Sequence, residues 1–277
     1  MRERAKYLLT LLQSDIAANR LILPSLPEVG LRVRLITLQE NCTLGELERE
    51  IATDPALAAR LVKVASSSVM RRGVPVSSLK QAIAGLGFDL VRLLVSQLAI
   101  LQTMKSTQGD KVRLRGFVAS GSHISALCRA LSAPFPHLDA ELATLGGLLH
   151  DIGKLPLRDF LQRQENLTPT ERLHFELMLH PHVGAMMLRQ WKVSEELVQM
   201  ARGHESILRE TGQPLPDYVD LVIAANLLHY GVEKGRYARF AGLDIPALRK
   251  CTGGTHTRED AQRADECLRM AQLLACA

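Results

Sequence analysis

Apolar residues recur every three to four positions along most of this chain. No stretch shows the strict alternation that a half-buried strand requires, so the pattern predicts an all-α protein. Leu26-Pro27-Glu28 opens a segment whose Val29, Val33 and Ile36 share one face. Thr43-Leu-Gly-Glu46 has the spacing of a capping box and starts the next helix. Asp54-Pro55 offers an N-cap and an N1 proline ahead of the apolar run 56–65. A short helix is expected from Val76-Ser-Ser to about Gly85-Leu-Gly87. Residues 88–104, apolar over their inner side, read as a long buried helix.

The polar stretch 105–110, with Gly109, divides the pattern into two lobes. The expected layout is an N-terminal helix over 1–19, a first helical lobe over 20–105, a second over 111–230 and a helical extension over 231–277. In the second lobe, helices are expected around 116–131 and from about Leu138. Residues 162–167 read as a loop. Thr168-Pro-Thr-Glu171 is a second capping box, with proline at N1. Further helices fall at about 180–191, 194–203 and 216–230, with Ser194 as an N-cap. Gly253-Gly254 then precedes an amphipathic helix at about 258–276, expected to cap the lobe.

Composition narrows the class. The chain has 277 residues, 47% of them hydrophobic, which is enough for sizeable cores. It lacks an uninterrupted apolar run long enough to span a bilayer, and no signal-peptide core follows Met1. Cys42, Cys128, Cys251, Cys267 and Cys276 are scattered without CxxC spacing, as expected of reduced thiols in a cytoplasm. Net charge is +5, but Arg71-Arg72 and the cluster Lys111, Arg113, Arg115 are short. With only 4% aromatics, nucleic-acid binding ranks last among the functions considered.

The candidate chemistry lies in the second lobe. Residues 147–154 read Gly-Leu-Leu-His-Asp-Ile-Gly-Lys, placing His150 beside Asp151 at a helix end. An imidazole and a carboxylate are both good ligands for divalent metals. His123, His180 and His204 each sit among apolar neighbours, so each is expected to face inward. A lone inward histidine is more often a hydrogen-bonded core residue. Three of them plus a His-Asp pair in one helical lobe point to a shared site.

In this order the residues resemble the HD phosphohydrolase superfamily, over about 116–231. The resemblance implies metal ligation by His123, His150, Asp151, His180 and His204, through a divalent transition metal such as iron, manganese or zinc. It implies a catalytic role for Asp151, and for Lys154 a role as a point charge on phosphate. Departures are evident. The phosphodiesterase branch has His-His-Glu where this chain has Gly203-His204-Glu205, and no Gly-Tyr-Pro follows. The closing aspartate is replaced by Asn226, and Asp220, nearly two turns upstream, is a poor substitute.

The first lobe refines the resemblance. Leu23-Pro-Ser-Leu-Pro-Glu-Val, Asp54-Pro-Ala-Leu-Ala-Ala-Arg-Leu, Ala65-Ser-Ser and Val76-Ser-Ser-Leu-Lys-Gln-Ala-Ile-Ala-Gly-Leu-Gly87 resemble the HDOD family, as does His180-Pro-His-Val-Gly-Ala. Ser66 departs from the family's usual asparagine. The resemblance covers about 20–230 and implies an all-helical, two-lobed domain of bacterial signalling, often without demonstrated catalysis.

The resulting expectation is a non-catalytic regulatory module, with or without a bound metal, that binds a signalling partner or small ligand. The alternative is a metal-dependent phosphohydrolase acting on a phosphoester or cyclic nucleotide. Met178, Met186 and Met187 are expected to pack in the core, and Trp191 to serve as a packing anchor at a helix end. His174 and His182 are expected at the surface, while His137, His229 and His256 have no convergent partner in the sequence.

Overall fold

The computed structural model describes residues 2–252 apart from 19, 22–27, 38, 40, 66–75, 77, 89, 90, 93, 94, 96–110 and 234. All the regular structure described is helical. The boundary expected at 105–110, most of the helix expected over 88–104 and the final helix expected at 258–276 lie outside the described residues.

Contacts divide the chain into two compact units. One is Ser25–Ala119, whose described helices include α2 (Glu28–Thr37), α3 (Leu44–Ala52), α4 (Pro55–Ala65) and α5 (Leu79–Leu86). Its core is Val33, Leu47, Ile51, Leu57, Leu61, Ile83, Val91 and Val95. The expected caps are present. Thr43 Oγ1 accepts from Glu46 N at 3.3 Å, and Glu46 Oε2 accepts from Thr43 N at 2.8 Å. Asp54 Oδ1 accepts from Leu57 N at 3.0 Å, ahead of Pro55. Ser78 caps α5, and Gly87 ends it at φ +80°, a conformation that glycine adopts without strain.

The other unit joins the described residues of Met1–Pro24 to those of Ser120–Cys267. It contains α1 (Arg2–Ala17), most of α6 (Lys111–Ser132), α7 (Ala140–Leu149), α8 (Lys154–Gln162), α9 (Pro169–Gln190), α10 (Glu195–Gly203), α11 (Tyr218–Tyr230), a 3-10 turn (Gly235–Phe240) and α12 (Pro246–Thr252). Helix α1 lays Ala5, Leu8 and Leu12 on Leu157, Phe160, Phe175, Leu179 and Val183. Arg4 adds an ion pair to Glu171 at 2.6 Å. Met187 is buried, and Met178 and Met186 pack against this core, as expected. Trp191, half-buried, is the C-cap of α9.

Two elements differ from the sequence pattern. The helix expected from about 180 is the second half of one helix, Pro169–Gln190, with Pro181 inside it. Proline removes one backbone donor, but the burial of Val183, Gly184, Ala185, Met187 and Leu188 holds the helix through that point. The 3-10 turn and α12 fall within the helical extension expected over 231–277, where no individual element had been placed. Ile207, Val219, Ile223, Leu227, Tyr237, Ile245 and Ala247 form the core that seats them. Fully buried Asp220 accepts from Arg209 at 3.1 Å and from Lys250 at 3.2 Å, tying α11 to α12.

Candidate metal centre

The octet turns the chain from α7 into α8. Two of its glycines set how close it comes to its neighbours. A Cβ on Gly147 would lie 2.7 Å from Ser125 Cα on α6, and one on Gly153 would lie 2.9 Å from Gly184 Cα on α9. Only glycine allows both backbones to approach that far, and Gly153 needs no unusual dihedral to do so (φ −65°). The His-Asp pair lies between these two close approaches, to α6 and to α9.

His150, His180 and His204 are buried, and each is anchored by its own helix. His150 Nδ1 donates to Gly147 O at 2.7 Å, His180 Nδ1 to Glu176 O at 2.9 Å and His204 Nδ1 to Ala201 O at 2.9 Å. A carbonyl can only accept, so each Nδ1 carries the proton and each Nε2 of a neutral ring presents a lone pair. The three Nε2 atoms converge on Asp151. His180 Nε2 lies 3.0 Å and His204 Nε2 3.3 Å from Asp151 Oδ1, and His150 Nε2 lies 3.5 Å from Oδ2. His180 and His204 Nε2 are 3.0 Å apart. Lys154 pairs with Asp151 Oδ2.

Lone pairs facing each other and a carboxylate repel unless a cation or proton lies among them. Burial opposes a proton: it drives His150 down to about 3 against the pull of Asp151, and it lowers His180 as well. Burial would raise Asp151, but His150, the Lys154 ammonium and the other imidazoles around it outweigh burial and hold the carboxyl well below its ordinary range. Anionic Asp151 with neutral imidazoles is the donor set of a divalent metal site, each ring oriented by a second hydrogen bond. His150, Asp151 and His204 form one group with ligand-atom spacing, and His180, His204 and Glu205 another.

These shifts make the metal-free protein acid-sensitive. The unfolded chain protonates His150 below its ordinary 6.5, whereas the folded chain resists until about 3. Stability present above pH 6.5 is therefore lost as pH falls, at about 1.4 kcal/mol per pH unit for each such group. Urea unfolding at pH 7 and pH 5 should show the loss, and His150→Gln should flatten the slope. Equal stability at both values would count against the buried neutral ring.

The remaining expected residues fall differently. His123 belongs to neither ligand group among the described residues. Its Nδ1 faces His229 Nδ1 at 2.5 Å, with the rings edge to face at 4.7 Å, because α11 presents His229 to it. His229 therefore has a partner that the sequence did not reveal. Burial, His123 and Arg236 lower His229 to about 4. Asn226 is fully buried; its Nδ2 donates to Val222 O at 3.2 Å, and its Oδ1 has no protein partner. His137 Nε2 donates to Pro216 O at 3.0 Å, His174 is exposed and His182 is half-buried.

Two residues join the site that the sequence did not single out. Glu205 Oε1 lies 3.6 Å from His204 Nε2 and 3.8 Å from His180 Nε2. Adjacency to His204 was the available signal. Arg236, from the 3-10 turn, pairs with the same Oε1; nothing in the local pattern marked it.

The sequence profile of the HDOD domain matches residues 23–207. No curated protein matches significantly. Among solved structures, a protein of Shewanella amazonensis SB2B provisionally named a metal-dependent phosphohydrolase aligns with a TM-score of 0.71 at 21% identity, covering 99% of this chain and 100% of its own. An HDOD domain protein of unknown function from Geobacter sulfurreducens aligns at 0.68 and 20% identity, covering 97% of each. A protein of Marinobacter aquaeolei VT8, provisionally named for signal transduction, aligns at 0.64 and 22% identity, covering 98% of this chain and 65% of its own. At these identities the likeness establishes the shared helical fold, and the profile match, over most of the chain, establishes the family: this protein belongs to the HDOD family.

Proposed function

We propose that this chain is a regulatory HDOD module. It holds one divalent transition metal among His150, Asp151, His180 and His204, and responds to an anionic, phosphate-like ligand bound beside the metal. The fixed convergence of three Nε2 lone pairs on Asp151 carries this reading.

Charge supports the ligand class. Asp151 and Glu205 are balanced by Lys154 and Arg236, and the imidazoles are neutral. A bound divalent cation would leave an excess of positive charge in a largely buried cluster, which a phosphate-like anion relieves. The metal would supply Lewis-acid polarisation of that anion. Lys154 holds Oδ2 of Asp151, which leaves Oδ1 toward the imidazoles. Asn226 brings no charge where the resemblance leads one to expect a further carboxylate.

Binding is favoured over turnover because Asp151 and Glu205, the two carboxylates of the cluster, are both ion-paired. Neither stands ready to take a proton from water. A second reading, metal-dependent phosphohydrolase, draws on Lys154 beside the cluster and on the description of the Shewanella relative. No described helix is long and apolar enough to cross a membrane.

Elemental analysis after expression with iron, manganese and zinc tests the first reading. The expected result is roughly one metal per chain, lost in His180→Ala. Metal-free protein under all three supplements would reject it. Turnover of bis(p-nitrophenyl) phosphate by loaded protein, abolished in His180→Ala, would move the assignment to the hydrolase.

A further inference from the structure

Arg236 and Tyr237 lie beyond the matched segment 23–207, yet in the same compact unit as the metal cluster. The Arg236 guanidinium carbon lies 5.0 Å from the centre of the Tyr230 ring and 4.7 Å from that of Tyr237. Two aromatic faces thus hold the cation in place. The guanidinium pairs with Glu205 Oε1, the oxygen that also faces the Nε2 atoms of His180 and His204. Tyr237 is 2% exposed, and its hydroxyl has no hydrogen-bond partner in the protein. A buried phenol in that state is unusual, because buried polar groups are nearly always paired.

We propose that Arg236 and Tyr237 form the anion-recognising side of the metal centre and take the phosphate group of a small phosphorylated ligand. The proposal rests on reading the His-Asp cluster as a metal site. Glu205 Oε1 cannot serve Arg236 and a cation among the imidazoles equally well. When a cation draws that carboxylate, the guanidinium loses its counter-ion while the two tyrosine rings keep it in position. Its planar fork of donors matches phosphate oxygens. The Tyr237 hydroxyl, kept protonated by burial despite the pull of Arg236, is a second donor, carried on the ring that the guanidinium covers. Metal and anion should therefore strengthen each other's binding, and that coupling is reciprocal.

The test is calorimetric titration of inorganic phosphate into the full chain, with and without manganese, alongside metal content for each variant. In Arg236→Ala, phosphate affinity should fall about tenfold or more with metal content unchanged, and Arg236→Lys should recover only part of it. Tyr237→Phe keeps the ring and removes only the oxygen, and should weaken phosphate about threefold or more. Removing manganese from the wild type should weaken phosphate about tenfold, within the usual range of linked sites. Wild-type phosphate affinity in manganese-loaded Arg236→Ala would overturn the proposal and leave the metal reading standing. A wild type that loads no metal but binds phosphate through Arg236 would uphold the anion site and sink the metal reading. Loss of phosphate affinity in Arg236→Ala only together with loss of metal would overturn the anion role, since Arg236 would then act on the metal cluster.

Discussion

Replacing Gly153 with alanine is expected to destabilise the protein by about 3 kcal/mol and to abolish metal binding, although the glycine contributes no ligand. Its backbone lies flush on α9, and an added Cβ would meet Gly184 Cα at 2.9 Å, with His180 O and Gly184 N closer still. Those atoms are backbone in the middle of a helix, so no side chain can swing aside. The start of α8 must back away from α9, taking Asp151 with it, while His180 stays where α9 holds it. Asp151 Oδ1 and His180 Nε2, now 3.0 Å apart, would separate. Urea unfolding and metal content of the variant check both parts. A variant as stable as the wild type and fully loaded would show that the close approach is not what positions the pair.

Asp151→Ala should be costlier. Lys154 is 7% exposed and pairs with Asp151, so the substitution leaves a buried ammonium without a counter-ion. Breaking a buried pair from one side typically costs about 3–5 kcal/mol. The double variant Asp151→Ala/Lys154→Met removes both charges and should regain most of that stability while remaining unable to bind metal. The cycle separates two roles of one carboxylate: counter-ion for Lys154 and anchor for a cation. If the double variant is no more stable than the single one, the pairing with Lys154 is not what the fold requires.

Much of this was legible in the sequence, for local reasons. The capping boxes at Thr43 and Thr168 are fixed by residues three apart, and both formed as the spacing indicated. His150, Asp151, His180 and His204 share a cluster because each ends or lines a helix whose apolar face was readable. His123 faces His229, which lies 106 residues away, and no local pattern ties the two together. Arg236 was invisible for the same reason, since it reaches Glu205 across 31 residues from a 3-10 turn that lacks amphipathic periodicity. The helix expected from about 180 is only the second half of α9, because packing along the whole helix carries it through Pro181.

The three imidazoles are each tethered to a carbonyl one turn back on their own helix. Their rotamers are thus frozen before anything binds, and a cation has little side-chain entropy left to remove, roughly 0.5–1.5 kcal/mol per ring that would otherwise be lost. A cage set this firmly should be choosy. It offers nitrogen and carboxylate oxygen but no thiolate, and its donors have little freedom to spread for a large ion such as calcium or to contract for a small one. Selectivity would then follow from stiffness as much as from donor type, and loosening any one tether should broaden the range of metals accepted before it weakens the hold on the preferred one.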